Sequence, residues 1–317
     1  MKSFTRRHFL RLLPAAALCS CGEPAPPSGP RFPKVKFRVT SSTQFTADVV
    51  SVIGGEAVDS RSLLPPGVSP HGYTPAAVDI AKFDTSDIVF VHGLGLEHRW
   101  PVDLASLDRN GVRSFTVSDG IAPELILRPS GPGGPPDPHI WNDPDLAAHI
   151  ATVVENGLKS ALPKLADYFA PRAHMLRLRF QDTKDYAAGR LTGFKPTDKF
   201  LLTSHDTMQY FARSCGMEAR ALCPADGTVP SVLPEELKTW ITSHAVRTLF
   251  REPGTDVLAL RNLLKEQRVD PDHIIHTLAL PKAGTLELIG VKTFDVTTAA
   301  GAHRYNSESI LAALEVD

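Results

Sequence analysis

The fold is decided by a long helical stretch at residues 144–191, PDLAAHIATVVENGLKSALPKLADYFAPRAHMLRLRFQDTKDYAAGRL. This stretch contains almost no glycine. Its internal prolines, Pro163 and Pro171, can each occupy the first turn of a helix, where the missing N–H costs nothing. We therefore predict one helix that closes a first lobe, followed by a linker helix at 163–193 that leads to a second lobe.

On both sides of this stretch, short β-branched runs alternate with helical segments, a pattern typical of α/β folds with parallel sheets. Before it we predict strands at 35–40, 57–62, 88–91 and 112–117, and helices at 45–53, 75–83 and 97–107. After it we predict strands at 200–203, 219–222, 247–250 and 273–276, and helices at 205–214, 234–243 and 255–267. The predicted fold is α/β, with two doubly wound lobes at 35–162 and 194–317 joined by the linker helix.

The composition narrows the class of partner. Acidic and basic residues nearly balance, 35 against 34, and no basic stripe is present. Nucleic acid is therefore not an expected partner. After residue 30 no apolar run reaches the roughly 20 residues needed to cross a bilayer, so we expect a soluble mature protein, and a monomer.

The first 21 residues predict an export signal. The sequence TRRHFL at 5–10 has the twin-arginine pattern, and the apolar run that follows is too short to span a membrane. The run ends in LCSC at 18–21, which resembles a lipobox with Cys21 as the lipidated residue; an ordinary cleaved signal is the alternative. Residues 22–34 are rich in Pro, Gly and Ser, as expected for a tether. We expect a periplasmic or cell-surface protein held to the membrane only by its lipid anchor.

Two cysteines remain in the exported part, Cys215 and Cys223, on either side of a predicted strand. In an oxidising compartment a disulfide between them can persist. Two free, buried thiols are the alternative, and the sequence leaves both open.

Four of the twelve histidines stand out by position. His71 ends the loop LLPPGVSPH at 63–71, and His139 lies in DPHIW after a Gly/Pro-rich loop. His205 closely follows a predicted strand, and His276 ends another. In open α/β sheets, ligands bind at the carboxyl ends of the strands. Two of these histidines come from each lobe, so a site in the cleft between the lobes can draw on all four.

Three other histidines receive weaker assignments. His92 and His98 flank the segment 93–97 and can approach the cleft, whereas His303 is expected at the surface.

The motifs, taken in order, resemble those of the periplasmic zinc- and manganese-binding proteins of ABC importers. The motifs are LPPGVSPH at 64–71, GLGLE at 93–97 followed by Trp100, DPHIWNDP at 137–144, TSHDTMQYF at 203–211, and a closing helix near 305–314. The resemblance implies that His71, His139 and His205 are metal ligands. His205 occupies the third ligand position. In this respect the chain resembles the zinc-type members of the family, whereas manganese-type members carry Glu there. At the fourth position the family usually has Asp, and we expect His276 to replace it; three protein ligands plus water is the alternative.

The chemistry of the donors favours zinc. Imidazole suits Zn²⁺, whereas Mn²⁺ prefers carboxylate and water oxygens, although Cu²⁺ and Ni²⁺ also bind imidazole well. Four imidazole nitrogens would saturate tetrahedral zinc and exclude an activated water, an arrangement suited to holding the ion. Asp206, Asp143 and Glu252 are candidates for orienting the rings, with helix capping or a surface role as the alternative. We expect zinc affinity to fall steeply below about pH 6.

The expected function is high-affinity extracytoplasmic zinc binding and delivery to the permease and ATPase subunits of an ABC importer. Manganese or another divalent metal on the same scaffold is the first alternative. A zinc-dependent hydrolase would need an open metal position and Asp206 or Glu252 as base, and the sequence has no metalloprotease helix or nucleophile elbow. A binder of an organic ligand or metal chelate would leave the four histidines unexplained.

Overall fold

The computed structural model describes residues 36–98, 100, 107, 111–129, 131–223, 229–277 and 279–315. The predicted export signal at 1–21, with Cys21, and the tether at 22–34 lie outside these residues. Most of the helix predicted at 97–107 lies outside them as well. None of the described helices combines the length and the apolar character needed to span a bilayer.

The first sheet contains four parallel strands in the order β2-β1-β3-β4. Its strands are β1 (Phe37–Ser41), β2 (Val58–Ser62), β3 (Ile88–Val91) and β4 (Arg113–Thr116). Helices α1 (Gln44–Gly54) and α2 (Ala77–Asp84) follow the first two strands. All four residues of β3 are buried, which explains its continuous apolar sequence in a sheet covered on both faces.

The second sheet repeats this plan in the order β6-β5-β7-β8, again with all strands parallel. Its strands are β5 (Phe200–Thr203), β6 (Glu218–Ala221), β7 (Thr248–Arg251) and β8 (Asp270–Ile274). In chain order, α3 (Pro144–Ala161) and α4 (Ala166–Leu191) precede this sheet. The helices among its strands are α5 (Gln209–Cys215), α6 (Glu235–Ser243) and α7 (Val257–Leu264). His276 lies two residues beyond β8 instead of ending the strand.

The linking region contains α3 (Pro144–Ala161), a short 3-10 turn (Pro163–Leu165) and the long helix α4 (Ala166–Leu191). Pro163 opens the 3-10 turn, as predicted. Pro171 does not lie in the first turn; it lies inside α4, where it removes one helical hydrogen bond to Asp167. Asp167 is exposed, so water can satisfy its carbonyl. The helix therefore continues through this proline.

A β-hairpin that the sequence did not predict follows the second sheet. Its antiparallel strands are β9 (Leu286–Ile289) and β10 (Lys292–Asp295), and helix α8 (Ala299–Leu314) comes next. One face of the hairpin contacts α8, since the Phe294 ring packs on Tyr305 and Lys292 Nζ lies 2.9 Å from Glu308 Oε1.

The two halves share buried surface. Tyr210 on α5 and Ala299 on α8 belong to the same apolar cluster as the first sheet, α1, α3 and α4. The Ala299 N–H also donates to Asp48 Oδ2 of α1 at 2.8 Å. The structure thus has the predicted α/β class, with two parallel sheets and a long helix between them; the lobe boundaries at 35–162, 163–193 and 194–317 stay predictions. Cys215 and Cys223 are not joined by a disulfide; Cys223 is buried and Cys215 is partly buried.

Candidate metal centre

Three of the predicted histidines converge at the carboxyl ends of strands. His71 lies in the loop after β2, His205 lies two residues after β5, and His139 directly precedes the 3-10 turn Ile140–Asn142. One ring nitrogen from each of the three lies within 4.8 Å of the others. Residues more than 130 positions apart in the chain therefore meet at one point, because parallel strands place their carboxyl ends along one edge of each sheet.

The spacing of these nitrogens is close to that of a metal site. The Nε2 atoms of His71 and His139 are 2.7 Å apart. Two nitrogens that bind one tetrahedral zinc at 2.0–2.1 Å are separated by about 3.3 Å. The His71 ring therefore has to withdraw from His139 by only about 0.6 Å to admit the ion. The rings are already grouped, with centroids 4.9–5.7 Å apart.

Burial lowers the pKa of the His71 imidazole. Desolvation, and then the neighbouring His139 and His205 rings, lower the pKa of His71 from 6.5 to about 3. The ring is therefore neutral at physiological pH, the form that can bind a metal. His139 and His205 are buried and His71 is only partly buried, so solvent reaches the group on the His71 side.

His139 is oriented by a carboxylate that we did not predict, Asp137. Both the backbone N–H and the Nδ1–H of His139 donate to Asp137 Oδ1, at 2.9 and 2.7 Å. This contact fixes the tautomer and turns Nε2 toward His71. The sequence carried a signal for it, because the acid stands two residues before the histidine in the DPH motif.

The three carboxylates predicted to orient the rings each have hydrogen-bond partners in the structure, and their orienting role stays a prediction. Asp143 caps α3 by accepting the Asp145 N–H at 2.8 Å, and it pairs with Arg213 at 3.3 Å; burial raises its pKa. Asp206 accepts from Gln209 Nε2 at 2.8 Å, and burial raises its pKa too.

The third of these carboxylates, Glu252, accepts the Thr277 N–H at 3.0 Å and the Thr277 hydroxyl. It therefore fixes the backbone of the segment that follows β8.

The structure does not bring His276 into the three-histidine group, and its role as fourth ligand stays a prediction. Its Nε2 lies 3.1 Å from Glu287 Oε1 on the hairpin, and its backbone N–H donates to Asn306 Oδ1. The ring packs against Tyr305. The hairpin therefore supplies the carboxylate partner of this ring. Burial lowers the pKa of His276, and Glu287 opposes that shift.

The remaining histidines near the cleft play different parts. His92 is fully buried and donates from Nε2 to the Pro138 carbonyl at 2.7 Å, and burial lowers its pKa. His98 is exposed and bonds through Nδ1 to the Gly95 carbonyl. The expectation that His303 lies at the surface is wrong, because its ring is buried and donates to the Trp141 carbonyl, and burial lowers its pKa to about 4.

A model of the family described as zinc-uptake complex component A, periplasmic, matches residues 39–293. The chain belongs to this family. The match covers both sheets and all three clustered histidines.

Individual relatives share most of their length with this member of the family. The manganese-binding lipoprotein MntA of Bacillus subtilis is 26% identical over 94% of this chain and 95% of its own. The manganese ABC transporter substrate-binding lipoprotein PsaA of Streptococcus pneumoniae is 24% identical over 87% and 89%.

Solved structures show the same fold. A Mn-bound periplasmic metal-binding protein of Candidatus Liberibacter asiaticus superposes with a TM-score of 0.76 at 20% identity, over 88% of this chain and all of the other. The periplasmic zinc-binding protein TroA of Treponema pallidum gives 0.75 at 25% identity, over 88% and 99%. These matches confirm the predicted fold and the predicted class, a metal-binding component of an uptake system and not an enzyme.

Proposed function

We propose that the protein binds one divalent transition-metal ion on His71, His139 and His205 and delivers it to the permease and ATPase subunits of an ABC importer. The observation that carries the proposal is the convergence of three imidazole nitrogens within 4.8 Å, at loops supplied by both sheets. Family membership supports the delivery step.

Within this proposal the ion is zinc. All three donors are nitrogen, and imidazole favours Zn²⁺ over Mn²⁺, which prefers oxygen ligands. The relatives are named for different metals, manganese for MntA and zinc for TroA, so support for zinc comes from the donor atoms of this chain.

The fourth position of the ion is proposed to hold water. His276 is the predicted alternative, but it lies outside the group of three histidines whose ring nitrogens converge. Three protein ligands plus water fit a tetrahedral ion, and the partly exposed His71 side gives water access.

A competition experiment tests the metal assignment. The wild-type protein should bind one equivalent of zinc and prefer it over manganese, as expected when all protein donors are imidazoles. His149→Ala removes a histidine outside the three-histidine group, one that bonds to the Asp119 carbonyl, and should bind zinc like the wild type. Tighter binding of manganese than zinc would overturn the metal assignment, and absence of stoichiometric metal binding would overturn the function.

We propose that the protein is exported and anchored by a lipid. The N-terminal signal sequence and the relatives MntA and PsaA, which are named lipoproteins, support this proposal. We expect Cys21 to carry the lipid and the protein to face the periplasm or the cell exterior. Cys21→Ala should release the protein from the membrane fraction, and Arg6→Lys with Arg7→Lys should block export if the twin-arginine route is used. Unchanged export of the double variant would refute that route.

A further inference from the structure

The short segment that carries His139 is held from two sides by buried histidines that are not in the metal group. His92 follows β3 and donates from Nε2 to the Pro138 carbonyl at 2.7 Å. His303 lies on α8, more than 160 residues along the chain from His139, and donates from Nε2 to the Trp141 carbonyl. These two carbonyls flank His139.

Packing alone does not explain why these residues are histidines. The His92 ring packs edge-on against Trp141, with centroids 4.8 Å apart. The His303 ring packs against Phe45 and Phe180 at 5.8 and 5.2 Å. A phenylalanine could make these ring contacts without the cost of burying polar nitrogens. What only the imidazole adds is the N–H donor.

His92 is itself held in place by hydrogen bonds. Its backbone N–H donates to Glu97 Oε1 at 2.6 Å and to Ser42 Oγ at 3.0 Å. The Gly93 N–H donates to the same Glu97 carboxylate, and Gly93 has φ +85°, where a Cβ would come within 2.3 Å of Ser118 Oγ. The GLGLE signature therefore forms a tight turn that presents the His92 donor to the His139 segment.

We propose that His92 and His303 are positioning residues of the metal centre. Each, as the neutral Nε2–H tautomer, holds a backbone carbonyl on one side of His139, so that the Nε2 of His139 stays aimed at the ion. Asp137 sets the rotation of the His139 ring, whereas the two buried histidines set the place of its backbone. This inference rests on the proposed metal binding.

Paired substitutions separate the donor from the packing. His92→Phe and His303→Phe keep a ring but remove the imidazole N–H, so the Pro138 carbonyl keeps only the Ile140 N–H and the Trp141 carbonyl loses its contact with His303. His92→Gln and His303→Gln restore an N–H near the position of Nε2. We expect each Phe variant to lose about 10- to 100-fold in zinc affinity, as for other partners that orient metal ligands, and each Gln variant to stay within about threefold. His149→Phe, which loses a bond of the same kind to the Asp119 carbonyl, should bind zinc like the wild type.

Two further readouts keep the test decisive. The Co²⁺-loaded Phe variants should show an altered visible spectrum, because the ligand geometry changes, while the Gln variants should match the wild type. NMR of the ring nitrogens in the wild-type protein should find the proton on Nε2 of His92 and His303 with and without zinc, and this result does not depend on the folding of any variant.

The outcomes distinguish the two proposals. If the wild type binds no metal, the proposed function fails. If the wild type binds zinc but folded Phe variants bind it equally well, if the Gln variants fail as badly as the Phe variants, or if either ring carries its proton on Nδ1, the positioning role is overturned.

Discussion

His139 and His276 are both buried imidazoles in loops at the site, and each lies beside a carboxylate, yet only His139 belongs to the metal group. The Asp137 carboxylate accepts a hydrogen bond from Nδ1 of His139, so the Nε2 atom of that ring faces His71. In His276 the carboxylate of Glu287 occupies Nε2 instead. The comparison teaches that the position of the carboxylate decides which ring nitrogen remains for an ion.

The origin of the two carboxylates explains the difference. Asp137 is two residues from its histidine, so the contact is local and follows from the DPH motif. Glu287 arrives on the β9–β10 hairpin, eleven residues beyond His276, and its place depends on how the hairpin packs against α8.

The largest expected effect is on proton binding in the three-histidine group. In the metal-free protein, NMR titration should place the pKa of His71 near 3, compared with 6.5 for an ordinary histidine. Because the lowered pKa keeps the ring neutral, protons compete with zinc at His71 only as the pH falls well below 6.5. His71 therefore gives no reason for a steep loss of affinity at about pH 6, the threshold expected from the sequence.

The same shift predicts a change in stability. Between pH 6.5 and about 3 the unfolded chain binds a proton at His71 that the folded protein does not, so the free energy of unfolding of the metal-free protein should fall across this range. His139→Ala should raise the pKa of His71 only part of the way, since burial is the larger cause. A His71 pKa near 6.5 in the wild type would contradict the compact arrangement of the group.

Removing a clustered ligand should have the next largest effect. His139→Ala deletes one of the three converging nitrogens, and we expect zinc affinity to fall by at least about 100-fold, more than for loss of an orienting partner. Competition with a chelator of known affinity measures the change. A loss of less than about tenfold would show that the ion binds elsewhere.

Loss of the orienting carboxylate should cost less. Asp137→Asn keeps the size of the side chain but removes its charge, and we expect about a tenfold loss of zinc affinity. Asp143→Ala is the control, since Asp143 caps α3; it should lower the free energy of unfolding by about 1 kcal/mol and leave zinc affinity nearly unchanged. Equal effects of the two variants on affinity would remove the special role of Asp137.

The smallest effect is expected at His276. Because its ring lies outside the three-histidine group, His276→Ala should change zinc affinity by no more than about threefold, well under the effect of losing a ligand. A loss comparable with that of His139→Ala would show that the hairpin releases His276 to the ion and would restore it as the fourth ligand.

The α/β class, both parallel sheets and the helical stretch 144–191 follow from the sequence alone, because they depend on local apolar periodicity and on the spacing of Gly and Pro. The candidates His71, His139 and His205 follow from it as well, since they stand in loops or just past strands, where open α/β folds bind ligands.

Only the tertiary structure decided the direction of His276, the burial of His303 and the place of the β9–β10 hairpin. A side chain's orientation and burial depend on partners that are distant in the chain, such as Glu287 for His276 and the Trp141 carbonyl for His303. No local pattern encodes those contacts; they arise when the packed elements bring separate segments together.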